Sequence, residues 1–360
     1  MNVAIMGAGL AGLSCALMLE RHGISPAIFE KRSMPGDRFI NGEAFISLLT
    51  SPVTDCFRYF SEEFNLHLRP SSHINKISFL SENNQAVIKE PAGTMNLRGR
   101  HRLALENQLA EQISSKITFH SEVSYEELMK NFTHVILATG DASYALQMEN
   151  YTKDFSVSLK GATVEGEFEP NGVMVWLNND FAPKGYAYLM PFSKREANIV
   201  IAFPDSPQLS QEKVAVQWDK FYKAVCTELR QDLKITDQFH IHDYEIGICK
   251  SPRLGNTFMT GNCFGAVMPF LGFGQFAALL TGIYAAYDIC GFGKYEEYTK
   301  PLRKSYFDSL TLRRGMEKLD NHSFDLVVHQ LNGWLGKKLF QTDKNVVKMM
   351  SMLLNPFVRD

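Results

Sequence analysis

The stretch VAIMGAGLAGLSCALMLERHGISPAIFEKR, residues 3–32, reads as a strand, a glycine-rich turn, a helix and a second strand that ends in a carboxylate. Val3 to Met6 is a short apolar run of the kind a strand buried on both faces needs. Gly7, Gly9 and Gly12 fit GxGxxG, with Ala11 inside the turn. The first glycine permits the tight turn, the second lets the backbone approach a pyrophosphate, and the third lets the helix lie close to the sheet. The helix turns its free N–H groups and the positive end of its dipole toward an anion. Leu13, Ala16 and Leu17 give it a short apolar stripe, and Gly23 ends it. Ala27 to Phe29 forms the second strand. Glu30, with Lys31 beside it, follows Gly12 at close to the ~20-residue spacing at which a carboxylate meets the ribose hydroxyls of an adenosine. A lone GxGxxG is a weak signal, but strand, helix and terminal acid together point to a dinucleotide. The motif alone leaves FAD and NAD open.

The rest of the chain narrows the choice. With 360 residues, 45% hydrophobic and 21% charged, it can bury a large core in one unit or two lobes. A formal charge of −2 supplies no concentrated basic face, so no nucleic acid partner is expected. The six cysteines are scattered without a CxxC, which suits a reducing, cytoplasmic compartment. His322, His329 and the pair His240/His242 have no acids or cysteines at metal-like spacing, so no metal site is expected. The N-terminus lacks the features of a signal peptide. From Leu254 to Tyr287 there is no charged residue, but glycines and Pro269 interrupt the run and leave only a helix from about Gln275 to Tyr287, too short to span a bilayer. No transmembrane segment is expected.

Three later stretches join the first. RLALENQL, residues 102–109, has Arg102 ahead of Leu105 and Leu109 at i, i+4; HVILATGDAS, residues 134–143, is a buried strand followed by Thr139 and Gly140. MTGNCFGAVMPFLGFGQFAALLTG, residues 259–282, carries Asn262, Pro269, Gly272, Phe273 and Gly274 before a helix. In this order the four resemble the FAD-dependent oxidoreductases of the p-hydroxybenzoate hydroxylase fold, and among them the geranylgeranyl reductase-like family. The resemblance implies FAD, with Gly7, Gly9, Ala11, Gly12, Glu30, Lys31, Arg102, Thr139, Gly140, Asn262, Pro269, Gly272, Phe273 and Gly274 around it. It places an amide, Asn262, where the family has an acid that binds a ribityl hydroxyl; an amide carbonyl can still accept that bond. Aromatic hydroxylases of the fold often carry Asp where this chain has Thr139.

The implied fold class is α/β, with α+β character in the second lobe: a Rossmann-type FAD-binding domain, an antiparallel-sheet substrate domain and C-terminal helices. Residues 1–60, 93–150 and 251–295 are expected to form the FAD-binding domain, residues 61–92 and 151–250 the substrate domain, and residues 296–360 a helical segment. Residues 151–250 alternate in strand fashion in GVMVWLN, YAYLMPF and NIVIAF, and ISFLS and AVIKEP fit the same sheet. GYAYLMPF, residues 185–192, resembles a reductase motif that lines the ring. Alternation puts Tyr186, Tyr188 and Met190 on one face ahead of Pro191, as a flavin wall or as plain core. PGDRFINGEAF, residues 35–45, is similar to the reductases' segment after the second strand, with Asn41 in place of a cysteine and Gly42 and Glu43 matching. Asn41 and Glu43 read either as solvated loop residues or as polar groups at the active-site mouth. The Met-rich end, including VVKMMSMLLNPF, reads as core helices or as a membrane-surface contact.

The expectation is an FAD-dependent oxidoreductase that reduces a C=C bond of a small apolar, isoprenoid or lipid-like substrate. NAD(P)H or another external donor would supply the electrons. Two alternatives stand beside it: a monooxygenase acting through a C4a-hydroperoxyflavin, and a non-catalytic flavin-binding protein. No residue is singled out as the catalytic acid.

Overall fold

Three sheets and the helices packed on them account for the computed structural model, which describes residues 1–206, 210–333 and 336. The first sheet has the order β15 (Arg253–Leu254), β16 (Thr257–Met259), β9 (His134–Leu137), β1 (Val3–Met6), β2 (Ala27–Phe29) and β8 (Ile117–Thr118). It is parallel except for the β15–β16 pair. All of β1 is buried, as its unbroken apolar run requires. The chain leaves β1 for β2 on one side and reaches β9 on the other, so a crevice opens at the carboxyl ends of β1 and β9. That reversal of strand order is where open α/β sheets bind ligands.

Helix α1 (Leu10–Arg21) covers this sheet, and the expectation of a short apolar stripe on it is corrected: every residue from Leu10 to Leu19 is buried. The reason is a second layer. Helix α7 (Gln275–Ile289) lies against the far side of α1, where Ser14 Oγ donates to the Leu279 carbonyl at 3.1 Å. A Cβ on Gly282 would sit 2.1 Å from the Ala11 carbonyl oxygen, so glycine there sets the separation of the two helices. Helices α2 (Cys56–Phe64), α3 (Leu105–Ala110), α4 (Tyr125–Asn131) and α5 (Ser143–Gln147) complete this half.

The second sheet has seven strands in the order β14 (Lys234–Cys249), β10 (Tyr151–Glu165), β13 (Glu196–Pro204), β12 (Tyr186–Pro191), β11 (Gly172–Trp176), β5 (Lys76–Leu80) and β6 (Gln85–Ile88). It is antiparallel except for β5–β11, and ISFLS and AVIKEP supply β5 and β6. Residues 151–250 are not all strand, however. Helix α6 (Gln211–Leu229) lies inside that span, capped by the Ser210 side chain and ended by Arg230 in a left-handed conformation. It buries Val214, Trp218, Phe221 and Val225, a 3.6-residue repeat, against the apolar side of the sheet. A third sheet, β3 (Asn41–Ile46), β7 (Gly93–Arg98) and β4 (Ser72–Ile74), lies between the two large ones in the chain's path.

Helices α8 (Tyr295–Met316) and α9 (Asn321–Leu331) follow α7. VVKMMSMLLNPF lies outside the described residues. No described helix is long and apolar enough to cross a membrane.

Asp325 fixes α9 to the β5–β6 turn: it accepts hydrogen bonds from Ser81 Oγ at 2.6 Å, Asn83 N at 2.9 Å and Asn83 Nδ2 at 2.7 Å. These bonds, the Ser81 hydroxyl first, hold its carboxyl down to about 2. A depressed folded value means that the contact is fully present above the unfolded carboxylate range near 3.9 and is lost as pH falls through about 2. Amide hydrogen exchange in α9 is therefore expected to accelerate as pH is lowered from about 4 to 2 beyond the intrinsic exchange rate. The Asp325→Asn variant should lack that pH-dependent excess.

Candidate active site

The three glycines of the first turn have different physical duties. Gly7 has φ +112°, and a Cβ there would lie 2.2 Å from the Ala138 carbonyl oxygen; a Cβ on Gly12 would lie 2.0 Å from the Gly7 carbonyl oxygen. Both are demanded by packing. Gly9 has neither a positive φ nor any heavy atom within 4 Å of its would-be Cβ. Nothing among the described residues asks for glycine at that position. Gly9 is also the cap of α1 and offers no side chain, which leaves the first N–H groups of the helix to an anion. Glu30 stands at the rim of the turn, its Oε2 accepting from Ala8 N at 2.7 Å and its Oε1 from Arg32 N at 2.9 Å. Lys31 points away and pairs with Glu122 at 3.7 Å on the surface.

The third and fourth stretches meet this turn directly. A Cβ on Gly261 would touch the Ala11 Cβ at 3.2 Å, so the 3-10 turn Gly261–Cys263 abuts the start of α1. Thr139 Oγ1 is 3.2 Å from Cys263 Sγ, and the thiol donates to the Asp141 carbonyl at 3.0 Å. Asn262 Nδ2 donates to the Gly140 carbonyl at 2.9 Å and to the Tyr244 hydroxyl, which itself donates to the same carbonyl at 3.0 Å. Burial raises the Tyr244 hydroxyl to about 12 and the Cys263 thiol to about 11, so both stay protonated at neutral pH. Gly140, at φ +84°, again faces open space.

This pattern gives Asn262 a reason of its own. A carboxylate could not donate to the Gly140 oxygen and would be repelled by it. Asn262→Asp is expected to cost about 1 kcal/mol of stability, read as a lower denaturant midpoint, with no gain in flavin affinity. A variant that is more stable and binds more tightly would instead mark the amide as a weakened acid site.

The loop ahead of α7 forms the far wall. Pro269 opens it, Gly272 N donates to the Met268 carbonyl at 2.9 Å, and Met268 N to the Phe273 carbonyl at 3.1 Å. Gly272 has φ +71° and only the Tyr186 hydroxyl, at 3.9 Å, near its would-be Cβ; Gly274 caps α7, again without a side-chain cap. Asn96 Nδ2 donates to Gln275 Oε1 at 2.9 Å in a buried contact. That single bond leaves Asn96 Oδ1 and Gln275 Nε2 buried without partners, one acceptor and one donor side by side at the start of the helix. A cleft of about 900 Å³, counting its open mouth, runs from here between Phe45, Phe276 and α8.

Across the loop stand the residues expected to meet substrate. Tyr186, Tyr188 and Met190 share one face with Phe273 in a single apolar cluster, and the two tyrosine rings stack with centroids 6.0 Å apart. Tyr186 donates to the Leu271 carbonyl, which ties the sheet to the glycine loop. Pro191 ends β12 opposite Ala197. Asn41, Gly42 and Glu43 are not loop residues: they begin β3, and a Cβ on Gly42 would lie 3.2 Å from Met190 Cβ. Tyr188 donates to Asn41 Oδ1 at 3.2 Å, Asn41 Nδ2 to Glu43 Oε1 at 3.4 Å, and Arg98 Nη1 to Glu43 Oε2 at 3.2 Å.

The same Arg98 donates from Nε to Glu106 Oε1 at 2.6 Å. Burial works against the Arg98 charge, yet Glu106 and Glu43 outweigh it and hold the guanidinium protonated. Glu106 is 0% exposed and its Oε2 has no partner. Arg102 lies ahead of α3, which begins at Leu105; it is exposed on the preceding turn and makes no hydrogen bond or ion pair among the described residues. Asn96, Arg98, Glu106 and Tyr244 are the polar residues of this region that the sequence reading passed over.

The arrangement fits a dinucleotide carrying a flat ring. Gly9 and Gly140 face open space, Gly272 meets only the Tyr186 hydroxyl, two helix N-termini are left without side-chain caps, and a buried donor and acceptor lack partners beside the second of them. A family model described as an NAD(P)-binding Rossmann-like domain matches residues 5–44. Over its whole length the chain is similar to a geranylgeranyl bacteriochlorophyll reductase-like protein from Thermoplasma acidophilum, at 12% identity over 98% of this chain and 94% of that one, with a TM-score of 0.73. A flavoprotein/dehydrogenase from Cytophaga hutchinsonii is 14% identical over 100% of both chains, with a TM-score of 0.64. A variant of a flavin-dependent brominase is 12% identical over 99% of both, with a TM-score of 0.67. The chain has the fold of these flavoproteins. The resemblance read from the four stretches thus holds at the level of the fold.

Proposed function

We propose that this chain is an FAD-dependent oxidoreductase that saturates a carbon–carbon double bond in an apolar, isoprenoid or lipid-like molecule. The observation that carries the flavin is Gly9, a glycine with no internal reason to be one, at the N-terminus of α1. The N–H groups there hold the pyrophosphate, Glu30 takes the ribose hydroxyls, and Arg102, without a partner among the described residues, supplies a cation to the phosphates. The N-terminus of α7 sets partial positive charge against the ring, where it favours the electron-rich state. Bound FAD, recharged by NAD(P)H or another external donor, would supply the two electrons.

Tyr186, Tyr188 and Met190 form an apolar wall for the substrate, and burial keeps both tyrosine hydroxyls protonated. The free thiols, none in a disulfide, suit the reducing cytoplasm. The test is anaerobic incubation of the reduced enzyme with prenyl lipids, followed by mass spectrometry. A gain of two hydrogens is expected. Turnover only in air, with one oxygen atom gained by the product, would replace this reading with a monooxygenase.

A further inference from the structure

Helix α8 carries one exposed strip that its packing does not use. Its buried residues include Leu302, Tyr306, Leu310 and Arg313, whereas Lys300, Lys304, Phe307 and Arg314 follow one another at steps of four, three and seven residues and are all exposed. Those steps keep side chains on one helical face, so the strip is about 20 Å long. Phe307, at its centre, is 50% exposed. The acids nearby are Glu296, Glu297, Asp154 and the half-buried Asp308, which lies one turn from Lys304. Glu296 and Glu297 lie in the first turn, Lys300 pairs with Glu297 at 2.6 Å, and Arg314 is 3.8 Å from Asp154. Both cations of these pairs are more than half exposed, and such contacts are weak and exchange readily for another anion. Lys304 has no ion pair among the described residues.

The flank of the same helix lines the apolar cleft. Leu302, Ser305, Asp308 and Ser309 face it opposite Phe270 and Phe276, so Lys304 directly precedes a cleft residue and is one turn from another.

We propose that this face of α8 docks on an anionic lipid bilayer and sets the mouth of the cleft at the lipid surface, from which an apolar molecule enters. The second half of that statement rests on the apolar-substrate reading; the docking does not. An aromatic ring among cations suits the boundary between headgroups and acyl chains, and juxtaposed lysines and arginines suit its negative potential. An acidic protein would match the cations equally well, but it would give no reason for the apolar cleft to open beside them.

The full-length, flavin-loaded protein should co-sediment with phosphatidylcholine vesicles containing about one third phosphatidylglycerol, should ignore pure phosphatidylcholine vesicles, and should be released by high salt. Lys300→Glu combined with Lys304→Glu should weaken vesicle binding by about tenfold or more, and Phe307→Ser should weaken it severalfold, with melting temperature and bound flavin unchanged. No binding, equal binding to both vesicle types, or undiminished binding by the double variant would overturn the proposal. Binding of polyglutamate in place of vesicles would also overturn it, in favour of an acidic protein. Flavin content keeps the two readings apart: yellow protein that ignores vesicles removes only the docking, and colourless protein that binds them removes only the flavin.

Discussion

Gly9→Ala is expected to fold as the parent does and to lose at least tenfold in FAD affinity, whereas Gly12→Ala is expected to lose about 3 kcal/mol or more of stability. The contrast follows from where a methyl group would go. At Gly12 it would be driven to 2.0 Å from the Gly7 carbonyl, a backbone atom that can yield only if α1 moves off the sheet. At Gly9 it enters open space on an extended backbone of φ −93° and ψ −171°, which alanine adopts without strain. The small loss of a glycine cap is offset by the reduced freedom of the unfolded chain. Urea unfolding of the flavin-free proteins and a fluorescence titration with FAD separate the two effects. Equal affinity of Gly9→Ala and the parent would show that the α1 turn does not hold the cofactor.

The second large effect concerns Arg98. Replacing it with alanine is expected to cost about 3–5 kcal/mol, since Glu106 would be left fully buried with no cation. Glu106→Ala should also be costly, though less so, because Glu43 still faces the guanidinium at 3.2 Å. The double variant should cost less than the sum of the two, as members of one network do. The denaturant midpoints of the four proteins check this. Additive costs would mean that the two residues act separately.

How much of this was legible in the sequence depended on whether a residue's duty was local. The β1 strand, the glycine turn, Glu30 and the loop from Pro269 to Gly274 each follow a short-range rule; Glu30 accepts from Ala8 N in the turn, and the Gly261–Cys263 turn ahead of the loop abuts the start of α1. The alternation that put Tyr186, Tyr188 and Met190 on one face held for the same reason. Helix α6 was legible and was passed over: Val214, Trp218, Phe221 and Val225 repeat at helical spacing between two strand signals. The second layer over α1 was not legible from α1 itself, because the helix that buries its far side begins more than two hundred residues later. Glu106 left a faint sign, a carboxylate beside Leu105 and Leu109 in a helix that needs an apolar face. Its partner Arg98 ends the strand β7 ahead of the turn that leads into α3, and no spacing rule links the two. Tyr244 is similar: its hydroxyl matters only because the long strand β14 delivers it to Gly140.

The central claim is that the crevice at the ends of β1 and β9 holds FAD. The most direct measurement is the absorbance spectrum of the purified protein, followed by denaturation and chromatography of what is released. A flavin spectrum and release of close to one FAD per chain is the predicted result. Colourless protein that also fails to take up added FAD would contradict the account.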